Sequence, residues 1–309
     1  MIRLRSFAKI NLGLEVTGRR NDGYHTLRTI FQTIGLSDGM EVRERSRAGL
    51  RLDGDDPRVP WDETNTIARA FRLVAENCRL RRGLEVFVSK RIPAGAGLGG
   101  GSGNAAVMLL FLDRFFGLGL PAGQLAEMAA RLGADVPFFL RGGTALGEGI
   151  GEKLTGLPAL RARPVLLCLP PRPVSTALVF SRFRLTRARF PSKIQLFLEK
   201  GDLSILRNDL ESVTCELFPE IRDIRQKMAQ GGSGYVQMTG SGSAVFALGH
   251  GRRLSALARR LPGTVLTRFI GSKTYQESIG VWPSGKASAF GAEIRRFESS
   301  RPRKTHDPR

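Results

Sequence analysis

Hydrophobic and polar residues alternate from residue 2 to 16, with Ile, Leu and Val recurring, a period of two that predicts a strand. The loop Gly18-Arg19-Arg20-Asn21-Asp22-Gly23 follows, and then two further β-type segments, Arg28 to Leu36 and Met40 to Glu44. The period changes after Thr64-Asn65-Thr66, which can cap a helix running to about Cys78, with Ile67, Ala70, Phe71 and Val74 on its apolar face. Leu84 to Lys90 alternates again as a strand. A glycine-rich segment comes next, then an apolar helix to about Phe116 and a second helix, Ala122 to Leu132, leading into Gly133-Ala134-Asp135-Val136-Pro137.

A proline-rich stretch, Leu157 to Pro173, surrounds a short apolar strand at Val165 to Leu169 and predicts a domain boundary near its start. Beyond it the pattern predicts helices near 193–200, 202–213 and 219–230, and strands near 235–239 and 243–248. A helix near 252–261 and a strand near 264–270 complete the series. Helices and strands interleave without a strict βαβ rhythm, which makes α+β the expected class. Residues 278–309 show no persistent period and read as an irregular tail.

Composition narrows the function. A hydrophobic fraction of 41% excludes a largely disordered chain, and the longest apolar run, Ala105 to Leu112, is far too short to span a membrane. The opening Met1-Ile2-Arg3-Leu4-Arg5 lacks a signal peptide's apolar stretch, so a cytoplasmic protein is expected. The net charge of +20 admits a nucleic-acid partner, a site for anionic small molecules, or basic residues spread over solvated faces. No block of like charge occurs and aromatics are only 7%, which argues against nucleic acid. Cys78, Cys168 and Cys215 are odd in number and far apart, and His25, His250 and His306 are scattered, so neither a disulfide framework nor a metal site is expected. The sequence sets no oligomeric state.

The segment carrying the most chemistry is Pro93-Ala94-Gly95-Ala96-Gly97-Leu98-Gly99-Gly100-Gly101-Ser102-Gly103-Asn104. Lying between a strand and an apolar helix, it lets backbone N–H groups face an anion while the helix adds its N-terminal dipole. Gly95-x-Gly97-x-x-Gly100 matches the dinucleotide fingerprint formally, but a second helix follows where that fold needs a strand ending in an acid. A Walker A loop requires a Lys that is missing here, and the His-Arg-Asp and Asp-Phe-Gly signatures of protein kinases are absent.

This loop resembles the phosphate loop of the GHMP kinases (galactokinase, homoserine kinase, mevalonate kinase and relatives). Two further segments agree, Gly133-Ala134-Asp135-Val136-Pro137-Phe138-Phe139 and the late glycine loop Thr239-Gly240-Ser241-Gly242-Ser243-Ala244-Val245-Phe246. The opening Ala8-Lys9-Ile10-Asn11-Leu12-Gly13-Leu14 and Gly18 to His25 resemble the branch acting on 4-diphosphocytidyl-2-C-methyl-D-erythritol in non-mevalonate isoprenoid synthesis. The resemblance covers roughly residues 2–272 in matching order, departing at Gly103, where the family usually has a second Ser.

The resemblance implies an α+β, two-domain GHMP-kinase-like fold with the active site in the cleft between domains. Its N-terminal ATP-binding domain would span 1–155, its C-terminal domain 156–277 and the tail 278–309. The implied reaction transfers the γ-phosphoryl group of ATP to the substrate's 2-hydroxyl, with Mg2+ expected. Asp135 and Lys9 match the family's catalytic positions; a Lys beside the Asp would stabilise negative charge on the attacking oxygen. An ordinary salt bridge or a helix cap is the competing account of that pair. The loop residues 93–103 would bind ATP, and Asn65 would approach adenine, although capping explains Asn65 equally well. Tyr24 and Phe180 would sandwich cytosine with His25 at its polar edge, while Asn11 would hold the substrate near Lys9; core packing is the alternative for Phe180. No resident metal site is implied.

The tail admits two readings. Trp282-Pro283-Ser284-Gly285-Lys286-Ala287 back-translates as TGG-CCA-AGC-GGT-AAG-GCA, like the start of a transfer-RNA D arm, and Arg296-Phe297-Glu298-Ser299 as CGG-TTC-GAA-TCC, like a T arm. The frame would then run into a transfer-RNA gene. The other reading is a genuine basic tail able to meet an anionic partner.

Overall fold

The structure, a computed structural model, describes residues 1–185, 192–232 and 234–279. The readings of the tail beyond Ile279 therefore lie outside the described residues. Strands β1 (Ile2–Arg19) and β2 (His25–Arg45) form a long antiparallel hairpin with register shifts at Phe7/Ala8, Asn11/Gly13 and Val16/Gly18. The segments expected as separate strands at 28–36 and 40–44 are one strand. Ser37-Asp38-Gly39 resembles a turn, but Asp38 is fully buried, pairs with Lys90 and accepts the N–H groups of Arg91 and Ile92, both at 2.8 Å. Its polar demand is met without breaking the strand.

The chain continues through β3 (Gly49–Gly54), α1 (Thr66–Cys78), β4 (Gly83–Ser89), α2 (Gly100–Phe115), α3 (Ala122–Leu132), α4 (Val136–Arg141), β5 (Thr144–Glu148) and β6 (Lys153–Gly156). The first sheet has the order β3-β4-β2-β5-β6, with β1 paired to β2. Against it packs α2, whose residues from Gly103 to Leu112 are all buried. Each large side chain removed from water there contributes about 1.5–3 kcal/mol, which anchors the helix that carries the glycine-rich loop at its start.

The second half holds β7 (Pro164–Cys168), α5 (Thr176–Arg182), α6 (Lys193–Lys200), α7 (Glu211–Leu217), α8 (Pro219–Gln230), β8 (Tyr235–Met238), β9 (Val245–Leu248), α9 (Gly251–Ala258), β10 (Thr264–Arg268) and α10 (Ser272–Ser278). Its antiparallel sheet runs β10-β7-β9-β8. The helix expected at 202–213 is instead a short 3-10 turn, Leu203–Ile205, followed by extended chain and α7. Residues 207–209 bond to β1, Leu14 N–H reaching Arg207 O and Asp209 N–H reaching Leu14 O, both at 2.9 Å. The final helix crosses back to the first half. Tyr275 is fully buried there and donates to Phe139 O in α4 at 2.6 Å.

Candidate active site

Lys9 and Asn11 alternate on one face of β1, opposite Thr33 and Phe31 of β2. Lys9 is buried, and its Nζ donates to Asn11 Oδ1 at 2.7 Å and stands 3.2 Å from Asp135 Oδ2. The Phe31 ring lies 5.4 Å from the ammonium and closes its apolar side. Asp135 sits at the start of α4 and its side chain caps no amide of that helix. A capping role is thereby removed, and the half-buried carboxylate is left facing both Lys9 and solvent.

The glycine-rich loop packs directly beside this pair. Gly95, Gly97 and Gly99 take left-handed φ values of 69, 73 and 70°, alternating with Ala96 and Leu98, whose side chains are buried. The loop is held from both halves: Lys9 N–H donates to Leu98 O at 3.0 Å, Ala244 N–H to Ala96 O at 3.2 Å, and Val174 N–H to Gly95 O at 3.0 Å. A Cβ at Gly97 would fall 2.3 Å from Thr239 O, so the two glycine loops touch backbone to backbone. Gly99 caps α2 without a side chain, and Gly100, Gly101, Ser102 and Gly103 form the first turn of that helix. The orphan amides of such a turn suit phosphate oxygens. Pro93 and Ala94 lead into the loop from β4.

Gly103 faces β1 and not the open side of the loop. A Cβ there would meet Ser6 Oγ at 2.8 Å and Phe7 O at 3.0 Å. The loop's open side retains the partly exposed Ser102.

At the hairpin tip the Arg20–Asp22 ion pair and the Arg20 N–H to Tyr24 O bond shape the turn. His25 stacks on Phe180 of α5 with centroids 5.2 Å apart, and meets the edge of Phe183 at 6.1 Å. Burial, aided by the charge of Arg19, pushes the His25 pKa below its ordinary 6.5. Tyr24 is 63% exposed and stands outside this stack. Of the three expected residues, His25 and Phe180 thus meet across the two halves, while Tyr24 lies outside their stack. Helix α5 is in turn tied to the late glycine loop by Thr176 Oγ1 and Ser241 Oγ, 2.8 Å apart.

Asn65 caps α1, accepting from Ile67 N–H at 3.0 Å and donating to Pro60 O at 2.7 Å. Both ends of its amide serve the chain. Asn11 is similarly engaged, donating through Nδ2 to Thr29 Oγ1 at 2.7 Å and through its backbone N–H to Thr239 Oγ1 at 2.9 Å. Sequence reasoning missed Thr29 and Phe31. Their signal was available in the pleat, because alternate residues of β2 share a face with the residues opposite Lys9 and Asn11.

The family descriptions "GHMP kinases N terminal domain" and "GHMP kinases C terminal" match residues 65–143 and 195–265. A homoserine kinase structure from Cytophaga hutchinsonii superposes with a TM-score of 0.65 over 89% of this chain and 96% of its own, at 17% identity, a likeness of fold alone. The chain belongs to the GHMP kinases. A 4-diphosphocytidyl-2-C-methyl-D-erythritol kinase from Lachnospira eligens is 39% identical over 254 residues, 80% of this chain and 88% of the relative. A crystal structure of 4-(cytidine 5'-diphospho)-2C-methyl-D-erythritol kinase matches at 36% identity and a TM-score of 0.74, covering 87% of this chain and all of that one. Within the GHMP kinases, the chain is a member of this cytidyl-methylerythritol kinase family.

Proposed function

We propose that the protein transfers the γ-phosphoryl group of ATP to the 2-hydroxyl of 4-diphosphocytidyl-2-C-methyl-D-erythritol, a step of non-mevalonate isoprenoid precursor synthesis. The observation that carries this reading is the contact of buried Lys9 with Asp135 beside an amide-lined phosphate loop. Family membership supports the choice of acceptor, and so does the His25–Phe180 stack, a flat surface at the far end of the same hairpin.

Phosphoryl transfer is mainly positioning and charge stabilisation. The hydroxyl oxygen forms a bond to the γ-phosphorus, the bond to the bridging oxygen breaks, and ADP leaves with that electron pair. Asp135 receives or steers the hydroxyl proton, and the Lys9 ammonium faces the oxygen on which negative charge develops. The loop from Pro93 to Gly103 holds the phosphates, chiefly through the unpaired amides of Gly100, Gly101 and Ser102 at the start of α2. Cytosine is taken at the His25–Phe180 pair, to which the exposed Tyr24 is adjacent in sequence. Asn11, whose amide is bound to Lys9 and Thr29, supports the substrate end of the pair. Asn65 shapes the adenine side by capping α1.

Magnesium fits this site in one way. Among the described residues no three His, Cys, Asp or Glu side chains cluster as a metal cage. Mg2+ is commonly held through nucleotide phosphates, water and one or two protein oxygens, and the partly exposed Ser102 hydroxyl in the loop would be one of them. When bound it neutralises phosphate charge. Among the described residues no helix is long and apolar enough to cross a membrane; a cytoplasmic location completes the reading. The test is product analysis: purified protein with ATP and the cytidyl substrate should yield ADP and a new phosphomonoester phosphorus resonance on the methylerythritol. ADP formed with inorganic phosphate alone would reject the assignment.

A further inference from the structure

We propose that Thr29 is a positioning residue that sets the orientation of Lys9 through Asn11. This rests on the reading of Lys9 and Asp135 as the reacting pair. Thr29, Asn11 and Lys9 are all at least 97% buried, so each polar contact among them is made within the protein.

The contacts have a fixed polarity. Gly13 O can only accept, and Thr29 Oγ1 lies 2.6 Å from it and donates its one proton there. The lone pairs of that hydroxyl are left to face Asn11 Nδ2, 2.7 Å away, which can only donate. The amide of Asn11 is thereby held with Oδ1 on its other side, 2.7 Å from Lys9 Nζ. A flipped amide would set NH2 against NH3+, donor against donor, and leave Thr29 facing a second acceptor. Thr239 reinforces the same orientation from the late glycine loop: its Oγ1 accepts from Asn11 N–H at 2.9 Å and lies 3.3 Å from both Asn11 Oδ1 and Gly97 O.

The register makes this arrangement possible. The shift between Asn11 and Gly13 places Leu14 opposite Thr29 and brings the Thr29 hydroxyl diagonally to Asn11. A backbone carbonyl thus orients a hydroxyl, the hydroxyl orients an amide, and the amide aims an ammonium at Asp135.

The experiment compares Thr29→Val, Thr29→Ser and Lys9→Met, with Thr29→Val repeated in an Asn11→Ala background. Steady-state kcat and KM for ATP and the cytidyl substrate are measured for each. Thr29→Val should lower kcat ~10-fold with both KM values within about twofold, because misplacing a reacting group costs rate more than binding. Thr29→Ser, which keeps the hydroxyl, should restore kcat. In the Asn11→Ala background Thr29→Val should have no further effect. An unchanged kcat in Thr29→Val, with Lys9→Met inactive, overturns the relay and leaves the reacting pair intact. An equal loss in both backgrounds overturns it by showing a generic packing effect. Normal turnover in Lys9→Met defeats the reading beneath the proposal. Should Thr29→Val fail to fold, Thr29→Ala decides between the same outcomes.

Discussion

Lys9 and Asp135 lie far apart in sequence, yet the Lys9 Nζ stands 3.2 Å from Asp135 Oδ2 at the foot of the glycine-rich loop. Strand β1 supplies one and the start of α4 the other, and Tyr275 pins α4 from the end of the described chain. Asp135→Asn keeps the shape and removes the charge that handles the hydroxyl proton. A loss in kcat of at least ~10²-fold is expected, with ATP affinity little changed by calorimetry. Near-normal turnover would move the proton-handling role elsewhere.

The His25–Phe180 stack predicts a pH dependence confined to one substrate. The His25 pKa is depressed below 6.5, so the folded protein favours neutral imidazole and the unfolded chain takes up its proton first as pH falls. The stability from neutral His25 is full above about 6.5 and is lost as pH falls toward the folded value. KM for the cytidyl substrate should rise over that acidic interval while KM for ATP holds. Phe180→Ala should raise the cytidyl KM at all pH values, stacking being worth about 1–3 kcal/mol per base. A cytidyl KM unaffected by Phe180→Ala would remove this aromatic pair from the binding site.

Ser6 and Gly103 form a complementary pair. Ser6 Oγ is buried with no hydrogen-bond partner among the described residues, and it stands where a side chain at position 103 would begin. Gly103→Ser should therefore cost about 1–3 kcal/mol in chemical denaturation through overpacking. Ser6→Ala should instead stabilise by about 1 kcal/mol, since it removes an unpaired buried hydroxyl, and should lessen the penalty of Gly103→Ser. Additive effects in the double variant would contradict the pairing.

Much of the fold was readable in the sequence because it rests on local patterns. Helices α3 and α8 begin and end where periodicity and flanking residues place them, and Asn65 caps α1 as its residue type suggests. Departures arise where tertiary contacts outweigh local signals. Asp38 sits inside a continuous strand because Lys90 and two amides satisfy it, and residues 207–209 are drawn from a helical pattern into bonding with β1. Lys9, Asp135 and the glycine loop were legible as motifs. Thr29 was legible only as a residue on the same face of β2 as Phe31, because its contact with Asn11 depends on a one-residue register shift that no sequence pattern announces.

The boundary of the functional chain can be tested by truncation. Ile279 and Tyr275 are fully buried, and the matched cytidyl-methylerythritol kinase structure is covered completely by 87% of this chain. Truncation after Ile279 should preserve kinase turnover. Truncation after Gly271 removes Tyr275 and its bond to Phe139 O, and should lower stability by at least ~3 kcal/mol with loss of activity. Loss of turnover on removing residues 280–309 alone would give the tail a role as protein.

The central claim concerns the acceptor, and the most direct measurement is ADP release by the purified protein offered the cytidyl-methylerythritol substrate, mevalonate and homoserine in parallel. Turnover with the cytidyl substrate, abolished in Lys9→Met, is the expected result. Turnover with mevalonate or homoserine alone would contradict it.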